Sequence, residues 1–140
     1  MEEEMQKKYA MLQYLQQQAA ALMNEKNMID ERIGEINTTI HAMEKLEGIK
    51  PGEEMWSSIG SSSFVRSCIK DTEKFLVAVG SGIALKKSRE GAIAILRSRL
   101  SDMEKAGNEI IYEINNIAVE AERLEKRLAE MLQGQSGHRD

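Results

Sequence analysis

The sequence is poor in the residues that enzymes and cross-linked modules rely on. A single cysteine, Cys68, excludes an internal disulfide and a multi-cysteine zinc site. Two histidines, His41 and His138, leave little for an imidazole metal centre or a catalytic triad. Aromatic residues make up only 4% of the 140, so the ring-filled core of an ordinary globular domain is missing. Long apolar runs are absent too. The most apolar stretch, Phe75 to Leu85, is broken by Gly80-Ser81-Gly82 and falls well short of the roughly 20 residues of a membrane helix. Nor is there a basic excess to track a phosphate backbone: the net charge of −4 divides into −3 for residues 1–46, +1 for 47–87 and −2 for 88–140. The start, Met1-Glu2-Glu3-Glu4, is the reverse of a positively charged signal peptide. The expectation is a soluble, intracellular protein that is not an enzyme, with no metal, no cofactor, and neither nucleic acid nor membrane as partner.

What the chain does have is heptad order. With Met5 at position a, the a and d sites are Met5, Lys8, Leu12, Leu15, Ala19, Leu22, Lys26, Ile29, Ile33, Ile36, Ile40 and Met43; only Lys8 and Lys26 are polar. In the last third they are Ile93, Leu96, Leu100, Met103, Gly107, Ile110, Ile114, Ile117, Ala121, Leu124, Leu128 and Met131, with Gly107 the one departure. Two such series predict two coiled-coil helices, over residues 4–47 and 88–132. Gly48 suits a left-handed cap and Pro51 forbids continuation of the first helix, while Ser88 is the N-cap of the second. The polar, glycine-containing tail 133–140 is expected to fray. Equal lengths, roughly 60–70 Å each, predict an antiparallel pair. The favoured register sets Ile40 opposite Leu96, Leu12 opposite Leu124, Met5 opposite Met131 and Gly107 opposite Ile29. The heptads alone also allow a slip of seven residues.

Between the helices, residues 52–87 change character. Residues 47–87 hold five of the ten glycines and three of the six aromatics. Ser63–Ile69 and Lys74–Val79 are rich in β-branched residues, and Lys70-Asp71-Thr72-Glu73 between them reads as a hairpin turn. Further short runs near Met55–Ile59 and Ile83–Leu85 bring the count to as many as four strands, in two hairpins. A helix–helix connection needs only about 2–8 residues, and isolated hairpins are marginal in water. The segment therefore reads as an assembly surface, with Val65, Ile69, Leu76, Val77, Val79 and Ile83 at the oligomer interface.

Together these features resemble the prefoldin family, specifically the alpha type with two β-hairpins between its helices. The most specific stretch is Ser58-Ile59-Gly60-Ser61-Ser62-Ser63-Phe64-Val65-Arg66-Ser67-Cys68-Ile69-Lys70-Asp71-Thr72, continuing as Lys74-Phe75-Leu76-Val77-Ala78-Val79-Gly80-Ser81-Gly82-Ile83-Ala84. Ser58 stands where the family usually has proline, and Ser62 where it often has glycine. The resemblance spans the whole chain, residues 1–140, as one domain. It implies an α+β, mainly α fold: a long antiparallel coiled-coil hairpin whose β-hairpins join an oligomeric β-barrel. It also implies a hexamer of two alpha and four beta subunits. Its implied function is an ATP-independent holdase that captures unfolded proteins and transfers them to a group II chaperonin. A structural or adaptor coiled coil, assembling without holding clients, is the alternative.

Other signals have ordinary explanations. Cys68 has no histidine near it and reads as a packing residue. His41 lies on a polar helix flank. Gly80-Ser81-Gly82 lacks the remaining residues of a nucleotide loop. Asn37-Thr38-Thr39 is a glycosylation sequon by coincidence. The methionines are more informative: Met11, Met23 and Met28 fall outside the seam and offer an adaptable apolar surface. The client-binding residues are placed at the end of the helical hairpin that carries both termini. There Met1, Met5, Tyr9, Leu12, Leu124, Leu128, Met131 and Leu132 gather, and fraying of the end turns would uncover them.

Overall fold

A computed structural model describes residues 1–137. Helix α1 spans Glu2–Lys45, strands β1 to β4 span Glu54–Gly60, Ser63–Cys68, Lys74–Gly80 and Ile83–Ser88, and helix α2 spans Arg89–Gly137. The fold is mainly helical, with two long helices and two small antiparallel hairpins between them. α2 reaches five residues beyond the end expected at 132. Gln133 and Gln135 are good helix formers, and Gly134 costs only about 1 kcal/mol, too little to stop a helix without a proline. The expected frayed tail is thus helical to Gly137, and residues 138–140 lie outside the described part.

The cap of α1 also differs from expectation. The helix tightens into a 3₁₀ turn over Leu46–Gly48, closed by the Ile49 N–H on the Leu46 carbonyl at 3.2 Å. Gly48 is not left-handed. The positive φ falls instead on Gly52, at 89°, in a turn where Pro51 precedes it and the Glu53 N–H reaches the Lys50 carbonyl at 3.1 Å. Proline then glycine at the two central positions is the type II pattern. Ser88 caps α2 as expected, its hydroxyl accepting the Gly91 N–H at 3.2 Å.

The chain forms two compact units. In the first, Met1–Arg32 packs against α2 from Met103. Leu15, Ile110, Leu128 and Met131 are buried along the seam. A Cβ built on Gly107 would lie 3.7 Å from Ile29 Cγ2, the partner the favoured register assigns. Antiparallel order follows, since Gln18, Ala21 and Leu22 share a cleft with Glu113, Asn116 and Ile117 while Glu4, Lys7, Lys8 and Met11 share one with Glu120 and Leu124.

The second unit, Ile33–Asp102, holds both hairpins. Ile40, Val77, Ala92 and Leu96 are its buried apolar residues. β1 pairs only with β2 and β3 only with β4, which corrects the hairpin turn expected at Lys70–Glu73. That segment is the connector between two separate sheets. The Asp71 carboxylate accepts the Glu73 and Lys74 N–H groups at 2.8 and 3.1 Å, while the Glu73 carbonyl accepts the Arg89 N–H at 3.2 Å. The true reversals are at Ser61-Ser62 and Ser81-Gly82, all four with positive φ, each preceded by a glycine at a β-bulge, Gly60 and Gly80. Consecutive left-handed residues match the right-handed twist of the flanking strands.

Arg89 ties this unit together. Its Nε donates to the Met43 carbonyl at 3.1 Å, and a terminal nitrogen donates to the Thr72 carbonyl at 2.5 Å. One side chain thus joins the end of α1, the connector and the start of α2. Arg97 pairs with Glu44 at 3.2 Å, and Arg99 donates to the Ala78 carbonyl of β3.

Candidate functional site

Two surfaces carry the exposed apolar side chains. The first is on the hairpins. Opposed residues of an antiparallel ladder share a face, so Phe75, Val77, Leu85 and Lys87 lie on one side of the β3–β4 sheet and Leu76, Ala78, Ala84 and Lys86 on the other. Val77 is 5% exposed and Leu76 is 74% exposed. On the β1–β2 sheet one face carries Glu54, Trp56, Phe64 and Arg66. The Arg66 guanidinium sits 5.2 Å from the Trp56 ring centroid and 3.8 Å from the Glu54 carboxylate. Trp56 and Phe64 nevertheless remain exposed, with rings that would gain by being covered.

Of the residues expected at an oligomer interface, Val65, Leu76, Val79 and Ile83 are exposed and Ile69 is half-buried. Val77 is corrected: it is buried within its own unit, so it serves this chain's core. Trp56, Ile59, Phe64 and Leu85, also exposed, were not among the expected residues. Their signal was strand alternation, which puts large apolar groups on both faces of so small a sheet.

The second surface lies on the helices of the Met1–Arg32 unit. Met1, Tyr9 and Leu132 are exposed, while Met5, Leu12 and Leu124 are half-buried. Leu128 and Met131, at 4% and 9% exposure, are buried as seam residues. Heptad positions a and d bury first, and only opening of the end turns would free them. A second stripe runs outside the seam: Met11, Tyr14, Gln18, Ala21 and Met28 recur at helical spacing on α1, with Met11, Tyr14 and Met28 exposed. The Gln18 amide donates to the Tyr14 hydroxyl at 2.8 Å. On α2, Ile111, Tyr112 and Val119 are exposed. The cleft between Ala21, Leu22 and Ile117 has a volume of about 420 Å³.

Among the described residues no group of three His, Cys, Asp or Glu could hold a metal ion, and no helix is long and apolar enough to cross a membrane. The Asp71 carboxyl is held below its ordinary value. The Glu73 N–H lowers it most, opposed by desolvation and aided by the Lys74 N–H and the charges of Lys86 and Lys74. It is a turn-forming group.

Comparison with known proteins decides the family. The sequence model described as Prefoldin subunit matches residues 15–134. The chain belongs to the prefoldin family, as an alpha-type subunit. It is 30% identical over 98% of its length to the prefoldin subunit alpha of Methanococcus aeolicus, covering 93% of that protein. It is 32% identical over 92% of its length to that of Methanococcus vannielii, covering 89% of it. Among solved structures, a filamentous prefoldin from Methanocaldococcus jannaschii aligns with a TM-score of 0.74 at 18% identity, over 81% of this chain and 93% of the other. The prefoldin beta subunit from Thermococcus strain KS-1 aligns at 0.60 and 14%, over 92% of both chains. At those identities the structures speak for the prefoldin fold alone. This chain is a prefoldin chaperone subunit.

Proposed function

We propose that the subunit is part of an ATP-independent, cytoplasmic holdase, a hexamer of two alpha and four beta subunits that captures unfolded chains and passes them to a group II chaperonin. The observation that carries this reading is exposed apolar surface of two kinds. The hairpins offer Val65, Leu76, Val79 and Ile83, each worth roughly 1.5–3 kcal/mol when covered, so a few of them suffice to hold partner subunits. The helices offer Met1, Tyr9, Met11, Tyr14 and Leu132, flexible or amphipathic groups that adapt to clients of unrelated sequence. Met5, Leu12, Leu124, Leu128 and Met131 join them as the end turns open.

The test is aggregation suppression by the assembled complex, without nucleotide, using a chemically unfolded enzyme as client. Replacing Tyr9, Met11, Tyr14 and Leu132 by serine, with the matching helix ends of the partner subunits truncated, should leave assembly intact and weaken suppression several-fold. Undiminished suppression would move the client site elsewhere. Assembly without any suppression, even by the parent complex, would favour an adaptor. Replacing Leu76 and Ile83 by aspartate should abolish assembly while the chain keeps its helicity, because both side chains are exposed in the subunit.

A further inference from the structure

Lys26 is one of two polar residues in the α1 seam, and Gly107 is the one residue of the α2 seam without a side chain. The structure brings these two exceptions together. Gly107 is buried, and a Cβ built on it would lie 3.4 Å from Lys26 Cε and 3.6 Å from Cδ. The lysine stem lies across the glycine backbone, so that its side chain is only 19% exposed while the ammonium pairs with Asp30 at 2.5 Å. A stem of four methylenes can be covered in this way when its charged head still reaches water or a carboxylate.

We propose that Lys26 and Gly107 form a register lock, the feature that selects one stagger of the two helices among those the heptads permit. One heptad to either side of Gly107 stand Leu100 and Ile114. In a slipped stagger the Lys26 stem would meet one of those branched side chains and lose its place. The ammonium would be pushed among apolar groups, and Gly107 would face a large residue across an unfilled gap. A polar residue at a single seam position is a known way to fix stagger at some cost in stability. Here the cost is confined to one site because the opposing glycine receives the stem. Lys8, the other polar seam residue, has no such glycine within the series.

The test uses cysteine cross-linking of the full chain with Cys68→Ser. A Leu12→Cys, Leu124→Cys pair reports the native stagger; Leu12→Cys with Ile117→Cys, and Leu12→Cys with Met131→Cys, report slips of one heptad each way. With Lys26 and Gly107 present, only the first pair should close within a chain. With Lys26→Leu and Gly107→Leu, both seams are apolar apart from Lys8, and at least one slipped pair should close with a yield within a few-fold of the native pair. Lys26→Met alone, which keeps the small residue and removes the charge, should give an intermediate yield; circular dichroism establishes that each variant is helical. If the leucine variant is helical and still closes only the native pair, the stagger is set elsewhere and the lock is refuted.

Discussion

Replacing Arg89 with alanine tests the most concentrated set of interactions in the chain. The substitution leaves the backbone bond from Arg89 N–H to the Glu73 carbonyl in place and removes only the guanidinium. Two charge-assisted bonds are lost, at 3.1 Å to the Met43 carbonyl and 2.5 Å to the Thr72 carbonyl. Hydrogen bonds to charged groups are worth about 1.5–3 kcal/mol each, and an acceptor left dry costs more than one left wet. Thr72 is buried, at 7% exposure, so its carbonyl is the harder to re-satisfy, whereas water can reach the end of α1. The expected loss is about 3 kcal/mol, a fall in midpoint temperature on the order of 10 °C for a chain of this size. Urea unfolding followed by circular dichroism measures it directly. Arg89→Lys, which can serve one carbonyl at a time, should lose about half as much. A loss below about 0.5 kcal/mol for the alanine variant would refute the view that this side chain joins the three segments.

Two further substitutions probe the turns. Asp71→Asn should remove an acid-sensitive part of the stability. The folded Asp71 carboxyl is held below its ordinary value, so its contribution is full above the unfolded pKa and disappears as pH falls through the folded one; the parent should exceed the variant at neutral pH and converge with it in acid, as measured by unfolding across that range. Ser62→Gly should stabilise by about 0.5–1 kcal/mol, because Ser62 holds φ at 58°, where a Cβ is strained, and thermal unfolding should show the midpoint rise.

The helices were legible because one local rule recurs along each series, at ten of twelve sites in the first and eleven of twelve in the second. Their pairing was legible only up to a slip, since a periodic seam matches itself at every seventh residue. The strands were legible from β-branched runs, but their pairing was not. Lys70–Glu73 carries polar turn-like residues between two good strands, whereas the true reversal at Ser61-Ser62 has no glycine at either left-handed position. The burial of Val77 is not legible for a related reason: in a two-stranded sheet both faces are apolar, and alternation does not tell which one turns inward. Leu128 and Met131 are buried as their heptad sites require, and a client role for them rests on opening of the end turns. Arg89 carries its own trace in the sequence. A cation at the first residue of a helix opposes the helix dipole, and such a placement points to another employment for the charge.

The order of the elements along the chain has a consequence for biosynthesis. α1 is complete, seam included, before the ribosome has made any of α2, and its first interhelical contact spans 46 residues, from Met43 to Arg89. Loop closure is least costly there, and each contact nearer the termini closes a longer stretch of chain if made alone. Closing the pair from the Arg89 end converts those long closures into short steps, turn after turn, until Met131 is covered last. Until that happens, a nascent subunit displays an uncovered row of leucine and isoleucine. For the length of its own synthesis it is chemically the same kind of object as the unfolded chains it is proposed to hold.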